Sequence, residues 1–136
     1  MLASDESYER VVAMIEEIDE CCETCEDYDE WYDVAASCVT DCFEELADNQ
    51  IEMTCVAFIE YIEPQQTKDE NLAKGLFYAV HMSLTEYVEH KERFLLDCNF
   101  DDDDDEREAK VILEAFKKCV KWLNHAFPEY SEELEN

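Results

Sequence analysis

The sequence predicts an all-α protein, an antiparallel bundle of about five helices, and two observations carry that expectation. One Gly and two Pro in 136 residues leave little material for hairpin turns, which need Gly or Asn at positive φ. Apolar residues recur at steps of three and four along successive segments, the signature of a helix with one buried face. The joins between segments are short and polar, which implies antiparallel neighbours.

The first helix is expected from Ser4 to Glu26, with Tyr8, Val11, Ile15, Ile18, Cys22 and Cys25 on one seam. The second is expected from Glu30 to Ala47, with Trp31, Ala35, Cys38, Cys42 and Leu46 on one side. The third should run from Gln50 to Glu63, burying Ile51, Cys55, Phe58 and Ile62, until Pro64 stops it. Thr67-Lys-Asp-Glu70 reads as a capping box that opens the fourth. That helix carries Leu72, Leu76, Ala79, Val80, Leu84 and Val88 toward Leu95, and Gly75 offers a bend. The fifth follows the run Asp101–Asp105 and repeats through Ala109, Ile112, Phe116, Cys119 and Leu123 until Pro128. Residues 1–128 thus form one domain, and 129–136 read as an acidic tail that frays.

Charge is distributed one-sidedly. Arg10 is the only basic residue in the first 67 positions, against 20 Asp and Glu, a balance of -19. The remaining residues hold nine Lys and Arg against 18 acids, a balance of -9, and the two add to the formal -28. Sixteen aromatics and 47% apolar residues argue for a folded body under this coat rather than a disordered acidic chain. An anionic membrane surface and nucleic acid would both repel it. The longest stretch free of charged residues, Gly75–Thr85, is too short to span a bilayer. The opening MLASDESYER has neither the basic nor the apolar region of a secretory leader. Eight Cys without such a leader read as reduced thiols, so the expected location is the cytoplasm.

On the first helix Glu9, Glu16, Glu20, Glu23 and Asp27 lie opposite the seam. The second adds Asp33, Asp41, Glu44 and Glu45. Carboxylates three or four residues apart, as at Glu16, Glu20, Glu23 and Asp27, stand about 5–6 Å apart along the axis, within a factor of two of the phosphate rise of about 3.4 Å along one DNA strand. Like charges at i,i+4 cost a few tenths of a kcal/mol per pair, and no Lys is interleaved to relieve them. The plain alternative is a solvated face that keeps the protein soluble, as on a halophile's surface. The sharper reading is a face that engages something strongly basic.

Small, acidic, helical chains with carboxylate rows such as Glu16, Glu20, Glu23 and Asp27, few basics and many aromatics are what this sequence resembles. They are the DNA-mimic inhibitor proteins of phages and mobile elements. The resemblance is compositional, covers the whole chain and rests on no specific motif. It implies a non-enzymatic inhibitor that occupies a basic nucleic-acid-binding protein of the restriction, CRISPR, repair or nucleoid type. A bacterial immunity protein against a basic nuclease toxin is physically close to it. The nine carboxylates above are the candidate partner-binding residues, no cofactor is expected, and the oligomeric state, homodimer included, stays open.

The cysteines have their own reading. Cys22, Cys25, Cys38, Cys42, Cys55 and Cys119 fall on the seams, where free Cys acts as a small buried hydrophobe. Cys21/Cys25 and Cys38/Cys42 are i,i+4 pairs able to chelate a soft metal, which resembles the Cys-lined copper-storage bundles. Those bundles carry Cys clusters on every helix, whereas the fourth helix here has none before Cys98. The single knuckle Cys22-x-x-Cys25 is an incomplete zinc site.

The Asp run reads first as a negative cap on the fifth helix. Counted from Asp97, EF-hand ligand positions fall on Asp97, Asn99, Asp101, Asp103, Asp105 and Glu108, a possible weak divalent site. Asp102 and Asp104 replace the usual Gly and apolar residue, and there is no second loop. His81, His90 and His125 are scattered, no phosphate loop or nucleophile elbow is present, and one Gly excludes most such motifs. No enzymatic activity is therefore expected.

Overall fold

The structure, a computed structural model, describes residues 5–23, 26–44, 46, 48–97 and 103–135. Six helices account for most of them: α1 (Asp5–Cys21), α2 (Tyr28–Glu44), α3 (Asp48–Lys68), α4 (Glu70–Asp97), α5 (Asp103–Ala126) and α6 (Pro128–Glu135). The described residues contain no strand. The all-α bundle expected from periodicity is what the chain forms.

α1 packs on α2 and α3, α4 packs on α2 and α3, and α5 fills the groove between α3 and α4. Side-chain pairs give the register. Tyr32, Thr40 and Tyr87 link α2 to α4 in rising order, through Tyr78, Ser83 and the Thr40 carbonyl, so these two helices run together. Across α4 and α5 the order reverses, with Phe77 against Phe127 and Tyr87 against Phe116. Short joins were expected to make sequential helices neighbours. α2 and α3 meet chiefly through the Phe43–Phe58 ring pair (5.8 Å) despite a join of a few residues, while the broader faces of each pack on α1 and α4.

The core line of α1 is Val11, Met14, Ile15 and Ile18, with Tyr8 left outside at 37% exposure. On α2 the buried line is Ala35, Ala36, Val39 and Phe43, not the expected line through Cys38 and Cys42. Rotating α2 by about one residue buries two larger apolar groups and puts the two thiols on the shoulder facing α1. α3 buries Ile51, Cys55, Phe58 and Ile62 as expected.

Helix ends follow local chemistry. Asp27 Oδ1 accepts from the Glu30 amide (2.9 Å), and Glu30 Oε2 accepts from the Glu26 amide (3.0 Å), a reciprocal cap at the start of α2. Pro64 does not stop α3, which continues one further turn to Lys68. Proline removes only its own amide bond, the later amides still reach back, and Pro64 itself is exposed. The α4 cap is Asp69, whose carboxylate accepts from the Leu72 amide (3.2 Å). Thr67 donates instead to the Pro64 carbonyl (3.2 Å), so the expected capping box is not used.

Gly75 has a packing reason rather than a hinge role. A Cβ there would lie 2.5 Å from Cζ3 of Trp31, whose ring rests on the bare helix backbone. Trp31 is thus half-buried against α4.

The expected frayed tail is instead α6, with Pro128 at its first position. Phe127 and Tyr130 are buried against Phe77, with ring centroids 5.9 and 5.7 Å away. Tyr78 Oη donates to Glu133 Oε2 (2.6 Å), and Lys74 Nζ lies 3.5 Å from the same carboxylate. Two aromatic anchors outweigh the charge of the segment.

Two outcomes follow for stability. Gly75→Ala gains up to about 1 kcal/mol of helix propensity but overpacks Trp31, a cost of about 1–3 kcal/mol, so net destabilisation is expected in urea unfolding. A variant as stable as wild type would mean that the indole moves aside without cost. Tyr130→Ala should destabilise the whole bundle by about 3 kcal/mol in one cooperative transition. A separate early melting of α6 would show that the tail is only loosely attached.

Candidate functional site

The carboxylates singled out from sequence occupy three settings. Glu9, Glu16 and Glu20 stand opposite the Val11–Ile18 core line and point straight out from α1. Glu23 continues this row from the turn after α1 and is exposed. Asp27 is exposed too, but its carboxylate caps α2. Asp33, Asp41 and Glu44 are exposed on α2 and Glu45 lies outside the described residues. Asp33 shares the line of Thr40, and Glu44 reaches Tyr87, so both turn toward α4 rather than α1. The expected face is therefore a straight row on α1 with a second, divergent row on α2.

Between the rows lies a cleft of about 500 Å³ lined by Arg10, Met14, Glu17, Cys38, Asp41 and Cys42 among others. Glu17 is a site residue that sequence reading missed. It sits one turn from Cys21 and two from Arg10, a shoulder position that only the placement of α2 turns into a wall of the cleft. Arg10 does little to neutralise the cleft. Its guanidinium pairs with Glu6 (3.5 Å) and donates to Thr54 Oγ1 (3.4 Å) on α3.

Burial and nearby carboxylates act together on three titratable groups. Burial, then Glu17, the Cys21 thiol and Asp41, push the Cys38 thiol above its ordinary value. Burial, then Asp19, Tyr8 and Glu16, do the same to Tyr61 on α3. Burial, then a hydrogen bond and the charge of Glu44, raise Tyr87 further. Each group is held in its protonated form, the opposite of what an activated nucleophile needs.

Ion pairs mark the contrast with the rest of the chain. Lys110 meets Glu106 (3.3 Å), Lys117 meets Glu92 (3.3 Å) and Lys118 meets Glu52 (3.2 Å). Among the described residues of α1 and α2, Arg10–Glu6 is the only such pair.

The described residues of the 97–108 segment do not keep an EF-hand register. Asp97 ends α4 and is exposed, and Asn99, Asp101 and Asp102 lie outside the described residues. α5 begins at Asp103, so Asp103, Asp105 and Glu108 are helical. Helical residues two apart are rotated by about 200°, so Asp103 and Asp105 diverge and cannot converge on one ion. These acids form the negative start of α5. Among the described residues, no group of three or more His, Cys, Asp or Glu is placed to hold a metal.

The thiols separate into two environments. Cys25 and Cys98 lie outside the described residues, which leaves the zinc knuckle and the Cys21/Cys25 pair undescribed. Cys21 is exposed, and Cys22, Cys38 and Cys42 are half-buried. Cys55 and Cys119 are fully buried side by side, with Cys55 Sγ donating to the Cys119 carbonyl (3.5 Å) and Cys119 Sγ to the Ile51 carbonyl (3.7 Å). The hydrogen bond to Cys119, then burial, holds the Cys55 thiol well above its ordinary value.

Native thiol titration should therefore show a fast group containing Cys21 and a slow group containing Cys55 and Cys119. All eight thiols should react in denaturant without reductant, and the purified chain should carry less than one metal per molecule. Several tightly held Cu(I) ions per chain would instead establish a storage bundle. Comparison with protein-family models, curated proteins and solved structures returned no match.

Proposed function

We propose that this protein is a non-enzymatic inhibitor whose acidic face on α1 and α2 mimics nucleic acid and occupies a basic nucleic-acid-binding protein. One observation carries the reading: the exposed row Glu9, Glu16, Glu20 and Glu23 has no basic residue beside it except Arg10, which is turned toward Glu6 and Thr54. A face that served solubility alone would mix signs, as α5 does. Here repulsion between carboxylates stays unrelieved until a partner supplies the cations.

The physics then follows from charge. Long-range attraction steers a basic target onto the face and speeds association. Competition with nucleic acid follows because both ligands need the same cations. Rigidity helps, since the row rides on a helix whose other side is locked in the core. Cytoplasmic residence belongs to this reading, because eight thiols suit a reducing compartment. Among the described residues, no helix is long and apolar enough to cross a membrane.

The test is a set of charge reversals. Glu16→Lys, Glu20→Lys and Glu23→Lys together should weaken capture of the target by tenfold or more and leave the circular dichroism unchanged. Target binding should fall steeply with salt, since exposed charges are screened beyond about 10 Å at 0.1 M, and should compete with DNA or RNA. Reversal of Glu129 and Glu132, exposed on α6 and free of the Glu133 contacts, serves as control. Equal loss from that pair would mean diffuse charge attraction and would remove the specific-face reading.

A further inference from the structure

The α5 edge of the bundle differs from α1 and α2 in mixing both signs of charge. Of the ten Lys and Arg in the chain, five lie on α5: Arg107, Lys110, Lys117, Lys118 and Lys121. All five are exposed and stand away from the buried Leu113, Phe116, Cys119 and Leu123. Lys110, Lys117 and Lys118 have carboxylate partners, but those pairs are exposed and exchangeable. Arg107 and Lys121 have no ion-pair partner among the described residues, although the chain carries 38 acids.

Beside this stripe runs the groove between α3 and α5. It holds two hollows of about 440 and 380 Å³. Val111, 48% exposed, and Ala115 line the first, together with three cations, Arg107, Lys110 and Lys118, and two carboxylates, Glu52 and Glu114. Val56, Ile59, Trp122 and Ala126 line the second. Lys118 lines the first and sets its Nζ 5.9 Å from the Trp122 ring of the second, so the hollows are successive parts of one groove. From Val111 to Ala126 the groove measures about 22 Å, roughly four helical turns.

We infer that the α3/α5 groove is a second interaction surface, which takes an acidic amphipathic helix of a partner protein. The apolar floor receives the ridge of the incoming helix, and the α5 cations pair with carboxylates on its flank. The bundle already contains this geometry once, since α5 itself lies in the groove between α3 and α4. A basic segment would meet Arg107, Lys118 and Lys121. A second copy is a poor occupant: its most acidic exposed helix, α1, spends Val11, Met14, Ile15 and Ile18 in its own core and offers no apolar ridge. Extended nucleic acid would feel the whole -28 charge, whereas a short segment feels mainly the local field within a Debye length. The groove thus lets the protein hold an acidic partner while its α1/α2 face remains open.

The probe is a fluorescein-labelled synthetic helix of about 16 residues, with Leu at i, i+4, i+7 and i+11 and Glu on the flanks, read by anisotropy against the full chain. Saturable binding is expected, weakened at least tenfold by scrambling the peptide and at least tenfold by Arg107→Glu with Lys121→Glu. Those two residues have no internal partner to lose, so circular dichroism of the double variant should match wild type. Reversal of Glu16, Glu20 and Glu23 should leave peptide binding intact, which separates this surface from the α1/α2 face. Equal binding of ordered and scrambled peptides, or no saturable binding, overturns the inference. So does concentration-dependent self-association in sedimentation that the double variant abolishes, because the occupant would then be a second copy.

Discussion

Four aromatic rings at the meeting of α2, α3, α4 and α5 hold this bundle against its own charge. Phe43 lies 5.8 Å from Phe58 and 6.0 Å from Phe116, and Phe116 stacks at 5.0 Å on Tyr87. One residue from each helix thus enters a single cluster. Each aromatic pair contributes about 0.5–1.5 kcal/mol beyond the area it buries. The opposing repulsion is spread over the surface and screened within about 8–10 Å, so dense local cohesion prevails over diffuse repulsion. A second cluster, Phe77 with Phe127 and Tyr130, extends the same solution to α6 and ties an acidic segment to the bundle.

With cohesion supplied by the core, the surface is free to segregate charge. Basic residues gather on α5 and on the facing end of α4, where several find carboxylates. α1 and α2 keep a nearly unrelieved negative exterior. That separation underlies the proposed function. A rigid helix carrying unpaired carboxylates on one side is a ready ligand for a basic groove, and its cost is borne by burial elsewhere. Burial first, and nearby carboxylates second, hold the Cys38, Tyr61 and Tyr87 groups in their protonated forms.

Much of the fold was legible because burial imposes period. The α3 line of Ile51, Cys55, Phe58 and Ile62 and the α5 line of Phe116, Cys119 and Leu123 are as the spacing implied. α2 was read one residue off because Trp31, Cys38 and Cys42 form an equally regular line. Only packing against the other helices, as of Phe43 on Phe58 and Phe116, decides that Val39 and Phe43 take the inside. Pro64 misled because a proline signal is local, whereas helix continuation depends on the amides that follow it. α6 was missed because its composition is acidic, and composition does not register that Phe127 and Tyr130 find Phe77.

The sequence by itself determined the helical class, the core lines of α3 and α5, the one-sided charge and the outward position of Glu9, Glu16 and Glu20. All of these follow from helical period and composition, which are properties of one segment at a time. Tertiary structure alone decided that Glu17 joins Cys38 and Asp41 in a cleft and that Asp33 and Glu44 turn toward α4. It alone spent Asp27 on a cap, laid Trp31 on Gly75, and opened a groove beside the α5 cations. These depend on which helix lies beside which and at what rotation. That choice is made by side-chain volumes and ring contacts between segments far apart in the chain, and no local pattern encodes it.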